Sequence, residues 1–426
     1  MTLNEIIKVV NGISNINSYE FINNIKTDSR LIEENDVFIA IKGKNYDGND
    51  YIDEAIEKGA IACICNNNLN DKCIVVEDTY ESLYLLANYI RKKYDIPLIA
   101  ITGSNGKTTT KDLLYHILSS EYKVLRNEGN KNNIIGVSNT LFKLNKTYEI
   151  IIMELGTNHI GEINYLSKMC NPNLGIITNI GSSHLEYFKN KKNIFKEKTS
   201  IIDGMDDVKL IINGDDKYLK RLHAYKCGIK KNNNLIAYDI KEYIDKISFK
   251  IKLDKEYNII FNNPGVHFIN DILLAIKASL ACNIDINTII DRISTFKLTD
   301  KRMNIIKKEN YTIINDCYNS SLESVIGGLN YLKNIKEKKL LIIGDILELG
   351  NYSKRIHKKI NKEIKKISNC EVLTVGRYTK YIDGINFDNV DNLIAYLKNY
   401  DIKNKYIYIK ASRRMNFDKL VEYIKK

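Results

Sequence analysis

The segment that most constrains this chain is residues 102–109, TGSNGKTT. It starts at the last residue of an apolar run, LIAIT, and extends into the first turn of an amphipathic run, KTTTKDLLYHILSS. The first run is typical of a buried strand, and the apolar spacing of the second is typical of a helix. Glycines let such a loop curl so that its N–H groups face an anion, and the helix amino terminus adds partial positive charge. The sequence therefore predicts a phosphate-binding strand–loop–helix.

Within this loop, two side chains are expected to act on a nucleotide. Lys107 is placed to neutralise β- and γ-phosphate oxygens, and the Thr108 hydroxyl can ligate Mg²⁺. Ile101 occupies the first glycine position of the usual GxxxxGK[ST] pattern, which leaves GxxGKT. The predicted nucleotide-binding residues of the loop are Gly103, Ser104, Asn105, Gly106, Lys107, Thr108 and Thr109.

Strand-like and helix-like segments alternate along most of the chain. Apolar runs such as EIIIMEL, LGIITNI, KKLLIIGD and KYIYIKAS are separated by amphipathic helical segments. This alternation predicts an α/β fold with mostly parallel sheets covered by helices. We predict three domains: a small amino-terminal α/β domain at 1–95, a central P-loop NTPase-like domain at 96–299 and a Rossmann-like carboxyl-terminal domain at 300–426.

Composition narrows the class of protein but does not choose a partner. The 64 basic and 52 acidic residues of the 426 give a net charge of +12, which is compatible with any anionic ligand. The eight cysteines include no CxxC pair, and the first ten residues contain Glu5 and Lys8, where a signal peptide would be apolar. We therefore expect a cytoplasmic protein without structural disulfides.

Three further side chains are candidates for the same site. Glu154 ends the apolar run EIIIMEL, and His184 follows the next run, in TNIGSSHLE. The carboxyl ends of parallel strands meet at one edge of a sheet, where open α/β folds bind ligands. A carboxylate at that edge can hold the Mg²⁺ that bridges nucleotide phosphates. Lys198, in IFKEKTSI, has no distinguishing local pattern.

The motifs together are similar to those of the Mur ligase family of ATP-dependent amide-forming ligases. The central segments are ITGSNGKTTT, NEGNKNNIIGVSNTL, MELGTNHIGEI, NPNLGIITNIGSSHLE and FKEKTSI. The amino-terminal TDSRLIEENDVFIAIKGKNYDGNDYIDEAIEKGA resembles the first domain of the family, and INDCYNSSLESV, LLIIGDILELG and IKASRRM resemble the last. The resemblance covers nearly the whole chain.

The resemblance implies an ATP-dependent reaction of peptidoglycan precursor synthesis. A substrate carboxylate attacks the γ-phosphate of ATP to give an acyl phosphate, and an amine then attacks the acyl carbon. One Mg²⁺ is implied at Thr108 and Glu154, and a second near His184 and a carbamylated lysine, which by motif position is Lys198. The catalytic residues implied are Lys107, Glu154, His184 and Lys198.

The same comparison of motifs implies further ligand-binding residues. Asp271, Arg302 and Asp316 match positions that contact ATP, the last two after closure about a hinge near residues 298–301. The residues implied for the nucleotide-sugar peptide are Thr27, Ser29, Arg30, Lys42, Asn130 and Asn133. The residues implied for the incoming amine are Asn319 and Ser320.

Within the family, this chain is similar to the branch that adds D-alanyl-D-alanine to UDP-N-acetylmuramoyl-tripeptide. The resemblance lies in Glu154–Gly156 with Asn158, and in Tyr318–Asn319 followed by Ser324. These two compounds are therefore the implied substrates, with ATP and Mg²⁺ as cofactors. We expect no nucleic-acid partner, no membrane insertion and a monomer.

Three motifs depart from the pattern of the family. Asp271 stands where GxHNxxNAL has its second asparagine, YNANP becomes Tyr318–Leu322, and KGSRGM becomes Lys410–Met415. Two of these lie in the domain that should select the amine. A ligase of the same family that adds a different amino acid or dipeptide therefore remains an alternative, as does a catalytically silent nucleotide-binding protein.

Overall fold

The computed structural model describes residues 1–43, 45–67, 69–298 and 301–426. It confirms the α/β fold class with mostly parallel sheets. The predicted domain boundary at residues 299 and 300, and with it part of the predicted hinge, lies outside the described residues.

The amino-terminal part of the chain contains a parallel sheet of four short strands in the order β1-β2-β3-β4. Its interior strands are fully buried, as the apolar runs DVFIAI and AIACIC require. The strands are β1 Ile25–Lys26, β2 Val37–Ile39, β3 Ala62–Cys65 and β4 Cys73–Val75. The helices are α1 Leu3–Val9, α2 Ile52–Glu57 and α3 Thr79–Lys93.

The central part is built on a seven-stranded parallel sheet in the order β11-β10-β9-β8-β5-β7-β6. All five residues of the strand that leads into the phosphate loop are buried, which explains its uninterrupted apolar sequence. The strands are β5 Leu98–Thr102, β6 Val124–Arg126, β7 Ile150–Glu154, β8 Leu174–Ile177, β9 Leu210–Asn213, β10 Tyr225–Gly228 and β11 Leu235–Ile236. The helices are α4 Lys107–Leu118, α5 Ile134–Leu141, α6 Glu162–Cys170, α7 Leu185–Phe188, α8 Lys191–Thr199, α9 Phe268–Ala281 and α10 Ile286–Thr295.

A three-stranded antiparallel sheet follows, which the sequence analysis did not predict. It consists of β12 Tyr238–Glu242, β13 Ile247–Lys252 and β14 Glu256–Phe261. Buried and more exposed residues alternate along β13 and β14. This period of two is the signature of a sheet with one face in the core, and it is visible in ISFKIK and EYNIIF.

The carboxyl-terminal part contains a six-stranded sheet in the order β15-β16-β20-β17-β18-β19, parallel except for its antiparallel first pair. The strands are β15 Asn304–Lys307, β16 Thr312–Asn315, β17 Lys338–Gly344, β18 Cys370–Val375, β19 Ile385–Phe387 and β20 Lys405–Lys410. The helices are α11 Leu322–Lys333, α12 Ser353–Ile364, α13 Val390–Leu397 and α14 Asp418–Lys425.

Helix α3 joins the amino-terminal part to the central part. The buried Arg91 donates from Nε to the Cys170 carbonyl at 2.8 Å and from Nη2 to the Asn171 carbonyl at 3.2 Å. These bonds satisfy carbonyls at the end of α6 that the helix itself leaves unpaired. In the described parts of the chain, each helix is either too short or too polar to cross a lipid bilayer.

Candidate active site

The predicted phosphate loop lies between β5 and α4, as the sequence indicates. Gly103 and Gly106 have φ values of 147° and 83°, which glycine adopts without strain. A Cβ on Gly103 would lie 1.9 Å from Thr178 Oγ1. The two glycines are therefore required by backbone conformation and, at Gly103, by the close approach of Thr178, which follows β8.

The loop that follows β8 holds the phosphate loop in place. Asn105 N donates to Asn179 Oδ1 at 3.0 Å, and Asn179 Nδ2 donates back to the Asn105 carbonyl at 3.0 Å. The Gly181 amide donates to Ser104 Oγ at 2.9 Å. The segment TNIGSSH therefore positions the phosphate loop in addition to carrying His184.

Lys107 begins α4 and points back over its own loop. Its Nζ donates to the Gly103 carbonyl at 2.9 Å, and the residue lines a cavity of about 520 Å³. Burial lowers the pKa of Lys107, the charge of Arg302 acts in the same direction, and Glu154 opposes both. An anion that approaches the loop would favour the charged form of this lysine.

Glu154 is the last residue of β7 and is almost fully buried, with 1% of its surface exposed. Asn132 Nδ2 donates to its Oε1 at 2.7 Å, and Lys111 Nζ lies 3.5 Å from its Oε2. Among the described residues, Oε2 has no hydrogen-bond partner. Because an unpaired carboxylate oxygen is costly to bury, this atom is a candidate ligand for a cation.

Lys198 lies on α8 and is buried, with 3% of its surface exposed. Burial moves its pKa well below the ordinary value, and the charge of Lys107 adds to the effect, while nearby carboxylates oppose it. The neighbouring Glu197 accepts hydrogen bonds from Thr157 Oγ1 and from the amides of Gly161 and Ile163. Glu197 therefore fixes the segment between β7 and α6, a role that the sequence analysis missed.

His184 lies opposite the carboxyl-terminal part of the chain. Its Nδ1 is 2.6 Å from Glu348 Oε2, and Arg414 Nη2 donates to Glu348 Oε1 at 2.6 Å. The contacts with His184 and Arg414 lower the pKa of Glu348 to about 2 despite its partial burial. Glu348 is therefore ionised at neutral pH.

Asp271 and Arg302 approach the phosphate loop from α9 and from the start of the carboxyl-terminal part. A Cβ on Gly106 would lie 2.3 Å from Asp271 Oδ1, and burial raises the pKa of Asp271 to about 8. The Arg302 guanidinium carbon lies 4.0 Å from the centre of the Tyr318 ring. Its Nε has no partner in the described chain, so this donor is available to a ligand.

Asp316 follows β16 and belongs to a buried cluster. Lys410 Nζ donates to Asp316 Oδ2 at 2.6 Å, and the Tyr408 hydroxyl donates to the same oxygen at 2.7 Å. The Met303 amide donates to the other oxygen at 3.3 Å. These contacts hold the carboxylate at the rim of the cavity and leave it less free to bind ATP than the sequence implies.

One cavity of about 520 Å³ brings most of the predicted residues together. Its central wall carries Ser104, Asn105, Gly106, Lys107, Thr108, Thr109, Asn130, Asn133, Glu154, His184 and Asp271. Its carboxyl-terminal wall carries, of the predicted residues, Arg302, Asp316, Asn319 and Ser320. The predicted residues that do not line it are Thr27, Ser29, Arg30, Lys42, Gly103 and Lys198.

The four predicted residues of the amino-terminal part make contacts of their own. Thr27 Oγ1 accepts from Asn139 Nδ2 at 2.8 Å, and Ser29 Oγ donates to Glu54 at 3.2 Å. The exposed residues of this set are paired with neighbouring carboxylates, Arg30 with Asp28 and Lys42 with Asp47.

Several lining residues were missed by the sequence analysis. They include Asn132, Glu162, Glu323, Lys410 and Arg413. Glu323 accepts from Ser182 Oγ at 2.7 Å and from Lys191 Nζ at 3.0 Å, and Ser321 Oγ donates to Asn105 Oδ1 at 2.8 Å. The start of α11 thus touches the phosphate loop and the His184 segment directly, which no local sequence signal indicates.

Family models match two stretches of the chain. The Mur ligase middle domain matches residues 101–279, which contain the central wall, and the model described as the Mur ligase family, catalytic domain, matches residues 21–93. A UDP-N-acetylmuramoyl-tripeptide--D-alanyl-D-alanine ligase of Buchnera aphidicola is 34% identical over 450 aligned positions, covering 100% of this chain and 98% of that protein. The chain therefore belongs to the Mur ligase family of ATP-dependent ligases.

Solved structures agree with this assignment. MurF from Acinetobacter baumannii superposes with a TM-score of 0.92 at 25% identity, over 100% of this chain and 99% of that one. MurF from Thermotoga maritima, solved in complex with ADP, has a TM-score of 0.87 at 24% identity, over 94% of this chain and 96% of that one. The fold is thus shared over the full length of the chain.

Proposed function

We propose that this ligase joins D-alanyl-D-alanine to a UDP-N-acetylmuramoyl-tripeptide at the expense of ATP, in peptidoglycan precursor synthesis. The observation that carries the proposal is the cavity of about 520 Å³ in which a phosphate loop and Glu154 face Arg302, Asn319 and Ser320. A relative that carries this activity in its name is 34% identical over its full length. The nucleotide-bound relative from Thermotoga maritima supports ATP as the phosphate donor.

In the first step of the proposed reaction, a carboxylate oxygen of the tripeptide attacks the γ-phosphorus of ATP, and ADP leaves. Both reactants are anions, so the site must supply positive charge and hold them in line. Lys107 and the amides at the start of α4 provide that charge from the central wall. The unpaired Nε of Arg302 provides a further donor from the carboxyl-terminal wall.

In the second step, the amine of D-alanyl-D-alanine attacks the acyl carbon, and the carbon–oxygen bond to phosphate breaks. Asn319 and Ser320 line the part of the cavity that we assign to this dipeptide. The Ser320 hydroxyl is buried without a partner in the described chain, so a ligand group could accept its hydrogen bond. Arg302 and Arg413 give this wall the positive charge that a dipeptide carboxylate requires, whereas the charge of Lys410 is neutralised by Asp316.

The donor set of the central wall suits Mg²⁺. Thr108 and Glu154 would hold the first ion, and Glu154 Oε2, which accepts no hydrogen bond in the described chain, is the atom that fits this role. Within the described residues, no group of three or more His, Cys, Asp or Glu side chains gathers as a cation site. Mg²⁺ commonly binds through one or two carboxylates with phosphate oxygens and water, so two protein ligands are sufficient. When bound, the ion neutralises charge on the transferring phosphate.

Lys198 suits carbamylation. A carbamate forms on the neutral amine, and burial and Lys107 both shift the pKa of Lys198 in the direction that favours this form. The carbamate would be an anion close to Lys107, whose positive charge would stabilise it. With His184, the modified side chain would supply ligands for a second Mg²⁺.

The remaining assignments concern the binding region of the nucleotide-sugar peptide, the domain boundaries, the cellular location and the oligomeric state. We assign the nucleotide-sugar peptide to the region of Thr27, Ser29, Arg30 and Lys42 together with Asn130 and Asn133. We divide the chain into domains at 1–95, 96–299 and 300–426, the last of which closes on the central domain about residues 298–301. The protein is proposed to act as a cytoplasmic monomer, in line with eight free cysteines.

A different amine is the second candidate, and one contact favours it. Ser321 stands where the YNANP motif has its second asparagine. It lines the cavity and also donates a hydrogen bond to Asn105 of the phosphate loop. Phosphate release with ATP, the tripeptide nucleotide and a panel of amines distinguishes the two functions. Turnover with D-alanyl-D-alanine above all other amines supports the first, turnover with another amine supports the second, and ATP binding without turnover indicates a silent protein.

A further inference from the structure

Two residues with unusual backbone conformation meet between the central and carboxyl-terminal parts of the chain. His184 has φ 58° and Glu348 has φ 62°, although neither is a glycine. Side chains rarely adopt this region without a compensating contact, and such residues concentrate at functional sites. The compensating contact here is the 2.6 Å approach of His184 Nδ1 to Glu348 Oε2.

The contact determines which ring nitrogen of His184 carries the proton. A carboxylate oxygen only accepts hydrogen bonds, so Nδ1 must be the protonated nitrogen at this distance. By hydrogen-bond geometry Nδ1 has no partner in the described chain, so its approach to Glu348 Oε2 is an ion-pair contact, which still requires the proton on Nδ1. Neutral His184 then has its lone pair on Nε2, the nitrogen that can accept a proton or bind a cation.

The second carboxylate oxygen of Glu348 also has a partner. Arg414 Nη2 donates to Glu348 Oε1 at 2.6 Å, so each carboxylate oxygen has one partner. Neither Glu348 nor Arg414 lines the cavity of about 520 Å³, whereas His184 does. The carboxylate can therefore influence the reaction only through the imidazole.

We propose that Glu348 is a positioning residue for His184. The carboxyl-terminal part places the Glu348 carboxylate against Nδ1, so that the unprotonated Nε2 of the ring faces the cavity. This inference rests on the proposed ligase function, because His184 is assigned there to the second cation. His184 is then oriented to bind the second cation only when the carboxyl-terminal part is packed against it. Carboxylates that orient ligating histidines are a general device of metal sites, and their loss typically costs about 10- to 100-fold in activity or affinity.

The backbone contacts nearby make Glu348 suitable for substitution. The Glu186 amide donates to the Glu348 carbonyl at 3.1 Å, and the Tyr352 hydroxyl donates to the Lys189 carbonyl at 2.8 Å. Both remain when the carboxylate is changed. Lys191→Met is the matched control, because it removes another ion pair between the same two parts, Lys191–Glu323, without changing a side chain in contact with His184.

The test is the ring tautomer of His184, measured by two-bond nitrogen–proton NMR correlation in protein with ¹⁵N-labelled histidine, and assigned by the signal that His184→Gln removes. With an ATP analogue and the tripeptide nucleotide bound, we expect the Nδ1–H tautomer in the full-length protein and in Lys191→Met. Glu348→Ala should shift the ring toward Nε2–H. Glu348→Gln, whose amide oxygen still accepts, should keep Nδ1–H and shows that loss of folding is not the cause.

Kinetics supply the second readout. Glu348→Ala should lower kcat by about 10- to 100-fold, with the KM for the nucleotide-sugar unchanged, and Glu348→Gln should recover part of the loss. An unchanged tautomer in Glu348→Ala, or a changed tautomer with unchanged kcat, overturns the proposal. If the unmodified enzyme turns over no amine, the proposed function fails, but the tautomer comparison still decides whether Glu348 orients His184.

Discussion

The two walls of the cavity are built in different ways. The central wall rests on one continuous strand–loop–helix, residues 98–118, whose loop is bonded to the next loop through Asn105 and Asn179. The carboxyl-terminal wall is assembled from separate segments, with Arg302 from one, Asp316 from the end of a strand and Lys410 from the end of another. A local motif therefore specifies the first wall, and tertiary packing specifies the second.

The charges of the two walls are also held differently. Glu154 Oε2 and Lys107 on the central wall keep atoms available for a ligand, since Oε2 accepts no hydrogen bond among the described residues and Lys107 bonds only to its own loop. On the carboxyl-terminal wall, Asp316 is already bonded to Lys410 and Tyr408. We therefore expect substitutions in the central wall to affect turnover, and substitutions in the Asp316 cluster to affect folding first.

The largest expected effect tests the central wall. Lys107→Ala should reduce ATP turnover by roughly a hundredfold or more, because the lysine neutralises charge that develops on the transferred phosphate. The free energy of unfolding should change little, since the ammonium bonds only to the Gly103 carbonyl. Phosphate release and urea denaturation measure the two quantities. Loss of stability with turnover intact would reverse the distinction between the walls.

The next effect tests the carboxyl-terminal wall. Lys410→Met should lower the free energy of unfolding by about 3–5 kcal/mol, because it leaves the buried Asp316 carboxylate without its cationic partner. Lys425→Met is the control: its partner Glu422 lies one turn away on the surface of α14, so we expect a loss below about 0.5 kcal/mol. Equal losses in the two variants would show that the buried cluster does not stabilise this wall.

Lys198 tests the central part at a buried residue that does not line the cavity. Lys198→Ala should lower turnover by about 10- to 100-fold through loss of a cation ligand. Short carboxylic acids should restore part of that activity if the missing group is a carbamate. Mass spectrometry of the native protein checks the modification directly, and an unmodified lysine in fully active enzyme would exclude it.

Sequence reasoning predicted the α/β class and the phosphate loop because both depend on contiguous patterns, apolar runs and glycine positions. It also placed Glu154 and His184 at the edge of the sheet, since parallel strands end there together. It did not find Glu197, Glu323 or Glu348, whose partners lie 34 or more positions away along the chain. An acidic residue carries no local sign of which distant amide or imidazole it will meet. The antiparallel sheet at 238–261 was readable from its period of two and was missed.

The smallest expected effect concerns Asp271, which lies where the two walls meet, between Gly106 and Arg302. Its pKa of about 8 in the folded protein exceeds the ordinary 3.8, so between these pH values the folded chain binds more protons than the unfolded chain. The contribution of Asp271 to the free energy of unfolding must therefore fall as pH rises from 4 to 8. Asp271→Asn removes this dependence, because an amide does not titrate.

Denaturation of both proteins at pH 5 and pH 9 measures the difference. At pH 9, Asp271→Asn should be more stable than the unmodified chain, because the amide carries no charge that burial penalises. The gap should narrow at pH 5, where most Asp271 is protonated in the folded state and most is ionised in the unfolded state. A gap that is the same at both pH values would mean that Asp271 stays ionised beside Arg302, and that the junction of the walls is an ion pair and not a neutral contact.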